Sequence, residues 1–578
     1  MTKVTGGSSD ADAAIMSAEE GIATARDGVM GADDPIASAD GGIRAAAGLG
    51  ADSQSGPSRR AFLGAGTAAL VALAAPSLAR PAAAQTPKRG GTLVVAADVS
   101  PPGLDPQKSA AAHSWMIAEH VYSNLLRRDA KMNIVGDLAE SWQVVSDTTI
   151  VFKLRKGVVW HHGRELVAED VKYSFERMLD EKTASPWRSN WLIIDRIETP
   201  DKSTVRFVVK RPFAPFFSYL ATPHYSAIVP RDIVEKHGDL QKNASGTGPF
   251  VLDRFVPDNT VVLKRNPNYY ESGLPYLDGL EYRIIPDEAA RVAALRAGTV
   301  HYLWSVDPLI DRQVQGAPGI ALREPDGYCA QHGLAFNQTK APFTDVRVRR
   351  AVSVGVNRKE IIASVLRGRG AISTKIPPCD APFGYAGDDK GLPYYAHDPA
   401  QARRLLGEAG LANGLDTTLE VSPRFPLTIR TAEVMKEQLA AAGIRVTLKQ
   451  TEWGAALKNF VRTEYEGMSM IPLVWQPDPD AHAYDIFHSG SNINLGKFKD
   501  AKVDELLDQG RTTLDRDKRI AIYRDLQRHL ADQAYLVFPY ASGATEVLRE
   551  AVKGYVSIPG AQPGSRSREF FKQTWLDR

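Results

Sequence analysis

Residues 398–450 read DPAQARRLLGEAGLANGLDTTLEVSPRFPLTIRTAEVMKEQLAAAGIRVTLKQ. Asp398 stands where a helix N-cap belongs, and Pro399 takes the first helical position, where a missing N–H costs nothing. Ala402, Leu405, Leu406 and Ala409 then recur at helical spacing until Gly410 stops the run. Thr418–Val421 reads as a strand. A second apolar stripe, Ala432, Met435, Leu439 and Ala442, ends at Gly443, and Ile444, Val446 and Leu448 alternate with the period of a half-buried strand. Helix, glycine and strand in immediate succession mark α/β winding, with helices laid over a largely parallel sheet.

The pattern changes away from this stretch. Gly91–Ala97 is a short apolar run that predicts a buried strand, followed by a loop over Asp98–Gly103. Residues 149–154 alternate, and Val158-Val159-Trp160 runs into a turn at His161-His162-Gly163-Arg164, which is antiparallel hairpin material. Residues 205–209 and 260–263 read as further strands. Val503, Leu506 and Leu507, then Ile520, Tyr523, Leu526 and Leu530, mark two amphipathic helices within 502–531. There is no internal repeat. The chain reads as mixed α/β with more than one lobe.

At 578 residues the chain has room for about three to five domain-sized units. With 43% apolar and 24% charged residues it is neither collagen-like, nor disordered, nor multi-spanning. A net charge of +2 gives no general argument for nucleic-acid binding. Two cysteines make neither a disulfide scaffold nor a four-thiolate zinc site.

Residues 1–57, rich in Ala, Gly, Asp and Ser, predict disorder, and Met30 is an alternative start. Ser58-Arg59-Arg60-Ala61-Phe62-Leu63 opens a weakly apolar run that ends before Arg80, followed by Ala82-Ala83-Ala84 and Gln85. Paired arginines, a modest apolar run and a small-residue site predict a twin-arginine export signal over 58–84, cleaved near Ala84/Gln85. The competing reading is a membrane anchor, which the glycines and Pro76 disfavour. Gly64-Ala65-Gly66-Thr67-Ala68-Ala69 imitates a dinucleotide fingerprint but follows no strand. The expected product is soluble and lies outside the cytoplasm. An oxidising compartment permits a Cys329–Cys379 bridge, with two separate thiols as the alternative.

No P-loop, nucleophile elbow or zinc-protease helix is present, so catalysis has no support in the sequence. His161-His162 read as a solvated turn rather than a metal site, and His482 and His488 lack neighbouring cysteines. Two Pro-framed loops stand out. Trp475-Gln476-Pro477-Asp478-Pro479-Asp480 follows an apolar run and places a carboxylate beside an aromatic face. Asp478 either meets a cation, such as a ligand ammonium, or caps the next helix. Arg424, in Ser422-Pro423-Arg424-Phe425-Pro426, either holds a carboxylate bidentately or makes a surface salt bridge.

Several segments together resemble the dipeptide and oligopeptide class of extracytoplasmic solute-binding proteins, family 5, which serve ABC importers. They include Gly90–Val94 with Leu104-Asp105-Pro106, Leu138–Trp142, Phe152–Val158, Ala168–Phe175, Gly246-Thr247-Gly248-Pro249-Phe250, Arg265–Tyr270, Pro342–Ala351, Val503–Leu507 and Val552–Tyr555. They run in order over about residues 90 to 557.

The resemblance implies an α/β, two-lobed periplasmic-binding-protein fold of type II, large peptide-binding class, joined by two chain crossings. The first lobe would be 86–285 with a subdomain at about 127–198, the second 286–539, and 540–578 would return to the first. It implies a receptor that closes on a small peptide and delivers it to ABC permease subunits in the inner membrane. It implies a periplasmic monomer with no catalysis, no cofactor, no metal and no nucleic-acid partner. The same architecture also serves nickel chelates, opines, glutathione or oligosaccharides. In the dipeptide class an Asp three residues after a Trp holds the ligand ammonium, a spacing matched by Trp475 and Asp478. An Arg before an earlier helix holds the carboxylate, matched by Arg424 in a loop about two residues shorter. The acidic loop is also trimmed, so Asp480 competes with Asp478. Ser100, Tyr328 and Asn337 complete the implied lining.

Overall fold

The computed structural model describes residues 86–577, except 110, 306, 308, 325–329, 373–390, 474–477, 492–493, 495, 498 and 558–570. The expectations for the leader, Tyr328, Trp475 and the Cys329–Cys379 pair lie outside the described residues.

Strand β1 (Thr92–Ala97) opens the first sheet. Its unbroken apolar run follows from burial on both faces: Leu93, Val95 and Ala97 enter one core, Val94 and Ala96 another. The chain then makes an inserted subdomain. Strands β2 (Ala139–Ser146), β3 (Thr149–Leu154), β4 (Ile194–Asp201) and β5 (Thr204–Val209) form an antiparallel sheet in the order β2-β3-β5-β4. Helix α1 (Ala168–Leu179) buries Val171, Phe175 and Met178 in the same core as Phe152 and Phe207. Arg177 on α1 reaches back to Asp105, with contacts of 2.6 and 3.1 Å, and both side chains are buried. The Leu-Asp-Pro motif therefore ties subdomain to lobe.

Strands β6 (Phe250–Val256), β7 (Thr260–Arg265) and β8 (Gly279–Ile284), helix α2 (Glu288–Arg296), and strands β9 (Tyr302–Ser305) and β10 (Ile320–Arg323) follow. The second sheet then begins with β11 (Ala330–Phe336) and β12 (Gly370–Ala371). Helix α3 (Pro399–Glu408) is capped by Asp398, which accepts from the Gln401 amide at 2.8 Å. Strand β13 (Leu415–Val421), helix α4 (Pro426–Ala441) and strand β14 (Ile444–Gln450) form a parallel unit, register Leu415 to Ile444 through Val421 to Gln450. This is the α/β winding expected of residues 398–450. Strand β15 (Met468–Leu473), helices α5 (Pro479–Phe487), α6 (Ala501–Thr512) and α7 (Arg516–Gln533), and strands β16 (Leu536–Val537) and β17 (Ala541–Ser542) complete the second lobe. Strand β18 (Thr545–Arg549) returns to the first.

The first sheet has the order β10-β18-β9-β1-β8-β7-β6. The second has the order β12-β17-β11-β15-β13-β14, with β16 also on β11. The chain therefore crosses between sheets twice, after Arg323 and at Gly543-Ala544. This corrects the expected first boundary: β9 and β10 pair with β18, so the first lobe runs on to Arg323 instead of ending at 285. The subdomain also extends past 198, because β5 closes its sheet and its core reaches Ile228.

The Gly246-Thr247-Gly248 motif has a steric cause. A Cβ on Gly246 would sit 2.0 Å from the Val121 carbonyl oxygen, and one on Gly248 2.4 Å from that of His120. His161 is built into this contact. Its Nδ1 accepts from the Gly246 amide at 3.2 Å and its Nε2 lies 3.0 Å from the Gly248 carbonyl. Burial lowers its pKa to about 4. The expected solvated turn is thus a pinned one.

Candidate functional site: the cleft between the lobes

Strands β1 and β9 run parallel, so the loops after them share one edge of the first sheet; β13 and β15 run parallel and β11 runs against β15, so the ends of β13 and β15 and the start of β11 share one edge of the second. On the first-lobe side, Asp98 follows β1 and meets His113 Nε2 at 2.9 Å. Ser100 Oγ, on the loop after β1, accepts from the Asp258 amide at 3.0 Å, which ties this loop to the turn between β6 and β7. Asp307 follows β9. Both its oxygens accept from Arg430 Nη2, at 2.8 and 2.9 Å. Arg430 belongs to α4, so this pair joins the lobes beside the crossings. Ser305 Oγ donates to Glu288 at 3.2 Å; burial raises the Glu288 pKa, and the Asp307 charge raises it further.

On the second-lobe side, Arg424 follows β13 in an exposed loop. Its guanidinium lies 5.9 Å from the Phe425 ring centre, and Phe425 packs edge-on against Trp453 at 4.8 Å. Among the described residues the Arg424 guanidinium makes no ion pair. The aromatic pair props it at the end of the strand.

The Asp-Pro-Asp turn is different. Asp478 is the N-cap of α5: its Oδ1 accepts from the Asp480 amide at 2.7 Å. The same carboxylate takes a forked pair of bonds from Arg519, at 3.0 and 2.7 Å, and both side chains are 0% exposed. Burial raises the Asp478 pKa above its ordinary value, although the Arg519 charge pulls against that. Asp480 is equally enclosed. Arg511 donates to it from Nε at 2.9 Å and from Nη2 at 3.2 Å, and Tyr219 OH donates at 3.0 Å. Of the two roles that the sequence leaves open for Asp478, the structure places it in helix capping, and its charge is already met by the protein's own guanidinium.

Asn337 is displaced from the expected lining. It follows the far end of β11, where Phe336 pairs with Met468, whereas the crossing meets the β11 start at Ala330. Its Nδ2 donates to the Thr463 and Tyr465 carbonyls at 3.1 and 2.7 Å, and it is 1% exposed. An amide so fully used holds the loop before β15 and has nothing to offer a ligand. Position along the strand, which spacing alone does not reveal, separates the two ends.

Sequence reasoning missed Arg519, Arg511 and the Asp307–Arg430 pair. For Arg519 a signal existed. It stands four residues before Tyr523 and shares the buried stripe with Leu526 and Leu530, so a charge sits at a core position of α7 and demands a buried partner.

Among the described residues no group of three or more His, Cys, Asp or Glu is arranged to hold a metal. No described helix is long and apolar enough to cross a membrane.

The model of the bacterial extracellular solute-binding proteins, family 5, matches residues 133–494. A di/tripeptide-binding protein 2 of Pseudomonas aeruginosa is 31% identical over 84% of this chain and 95% of its own. A dipeptide-binding protein of Escherichia coli is 31% identical over 81% and 92%. Among solved structures, the Helicobacter pylori binding protein DppA in complex with the peptide STSA is 26% identical, with a TM-score of 0.74 over 85% of this chain and 99% of its own. The PBP AgaA of A. tumefaciens R10 in complex with agropinic acid is 28% identical, with a TM-score of 0.73 over 84% and 99%.

Proposed function

The chain belongs to the family 5 bacterial extracellular solute-binding proteins, and from that premise we propose that it is the receptor of an ABC importer for di- and oligopeptides. Peptide enters the open cleft, contacts both lobes and shifts the population to the closed form, which docks on the membrane permease. The protein carries out no chemistry on its ligand. It works as a monomer in the periplasm, reached through the twin-arginine leader and cleavage near Ala84/Gln85.

The observation that carries the reading is Arg424, an exposed guanidinium propped on Phe425 at the cleft end of β13. A planar fork of this kind takes a carboxylate through two parallel hydrogen bonds. We assign it the peptide C-terminus. Ser100 completes the proposed lining among the described residues; Trp475 and Tyr328, which the resemblance adds to it, lie outside them. Asp478, the ammonium partner that the resemblance implies, serves that role only if a peptide displaces Arg519 from it.

A second reading rests on that same pairing. With both turn carboxylates engaged, a ligand that needs no ammonium contact, such as an opine acid, suits the described residues as well. Thermal-shift measurement of the ligand-stripped protein separates the two. Ligand at 100 times its Kd stabilises by about 2.7 kcal/mol, enough to read. The peptide reading predicts a shift with free dipeptides or tripeptides that is lost on C-terminal amidation. A shift with opine acids and none with peptides would overturn it.

A further inference from the structure

The Asp-Pro-Asp turn also reaches the other lobe. Tyr219 and Phe213 belong to the inserted subdomain of the first lobe, whereas Asp480 and Arg511 lie on α5 and α6 of the second. Besides the Tyr219–Asp480 bond, the Ala214 amide donates to the Arg511 carbonyl at 2.9 Å. The Arg511 guanidinium lies 5.6 Å from the Phe213 ring centre, and Phe213 stacks on Tyr219 at 5.4 Å. Ala481, in the first turn of α5, is buried in the subdomain core with Tyr219 and Tyr225. We propose that Tyr219, Phe213 and Ala214 on one side and Asp480, Ala481 and Arg511 on the other form a latch that holds the lobes closed before ligand arrives.

The division of labour within the cluster supports this role. The charged pair, Asp480 with Arg511, lies inside one lobe and survives opening, so no charge is stranded when the lobes part. What crosses the cleft is a phenol hydroxyl, one backbone amide, the Arg511 guanidinium over the Phe213 ring and one methyl-sized contact. Each is modest, and water replaces the two hydrogen bonds on opening. Such a closure is shallow enough to reverse, as a protein that must load and release requires. The crossings after Arg323 and at Gly543-Ala544 supply the hinge, and the Asp307–Arg430 pair sits beside them. The latch closes the subdomain side. Because the apparent Kd is the intrinsic Kd divided by the fraction of molecules in the competent form, a latch that favours closure tightens ligand binding without touching the ligand.

The Ala214 amide reports the latch directly, with no ligand identity assumed. Hydrogen exchange would be followed by mass spectrometry on the full, ligand-stripped chain, in wild type and in Tyr219→Phe. That substitution keeps the ring and removes only the hydroxyl. The expected result is a protected Ala214 amide in wild type and exchange faster by roughly tenfold or more in the variant. Strands β1 and β13 should exchange unchanged in both. Arg511→Lys, which weakens the fork on Asp480, should act in the same direction, and circular dichroism checks its fold. An unprotected Ala214 amide in folded wild type, or unchanged exchange in a folded Tyr219→Phe protein, would overturn the latch. Failure of the peptide reading alone would leave all of these results in place.

Discussion

Arg424 and Asp478 occupy equivalent places. Each lies in a Pro-framed loop just after a strand of the second sheet, Arg424 after β13 and Asp478 after β15. In one dimension they look like two halves of one clamp. In the structure they are opposites: the arginine is exposed and unpaired among the described residues, whereas the aspartate is sealed against Arg519. A charge in a cleft loop is available to a ligand only if the chain does not supply its own counter-charge. Here the counter-charges come from distant helices, Arg511 lying 31 residues after Asp480 and Arg519 lying 41 after Asp478. The Asp-Pro-Asp turn is part of the architecture.

The largest effect expected from this contrast is on stability. Asp478→Asn leaves Arg519 buried without its charge partner and should cost about 3–5 kcal/mol in chemical denaturation. A stable Asp478→Asn protein that binds no peptide would reverse the assignment of the two loops. Arg424→Ala should do the opposite. Its unfolding midpoint should stay within about 0.5 kcal/mol of wild type, while affinity for a free-carboxylate ligand falls by about 1.5–3 kcal/mol in calorimetric titration.

A buried carboxylate that lacks a guanidinium fork sharpens the comparison. Glu546, just after the second crossing, is met by the hydroxyls of Tyr555, at 2.5 Å, and Ser557. Burial raises its pKa to about 7 against these bonds and the more distant Arg323 charge. The folded state therefore binds this proton more tightly than the unfolded chain, whose carboxyl titrates near 4.5. The stabilisation is full below about 4.5 and is lost as pH rises through about 7. Glu546→Gln should flatten that slope in denaturation curves taken from pH 5 to 8, and an unchanged slope would remove Glu546 as its source. The smallest change is expected at the far end of β11. Asn337→Ala should lower stability by about 1–3 kcal/mol, through two carbonyls left without a donor, and leave ligand affinity unaltered. A loss of affinity without loss of stability would return Asn337 to the cleft.

The sequence made the winding of residues 398–450 legible because periodicity, caps and glycine stops are local signals. Asp398, Pro399 and Gly443 each take the place their chemistry requires. The lobe boundary was not legible. The membership of β9 in the first sheet depends on pairing Tyr302 with Leu548, and no local pattern carries that partnership. The site divides along the same line. Asp478 as a cap was one of two readings that its own turn allowed, but Arg519 as its partner required α6 to pack against both α5 and α7 and so bring α7 to the start of α5. Asn337 and Arg424 both flank strands of the second sheet, and only the strand directions show that one flanks the cleft end and the other the opposite end.

The most direct test is a calorimetric titration of Arg424→Ala with a dipeptide that binds wild type, run beside the C-terminally amidated dipeptide on wild type. The account predicts that removing the guanidinium and removing the carboxylate weaken binding alike, and that combining them costs nothing more. Undiminished binding of the free dipeptide by a folded Arg424→Ala protein would contradict it.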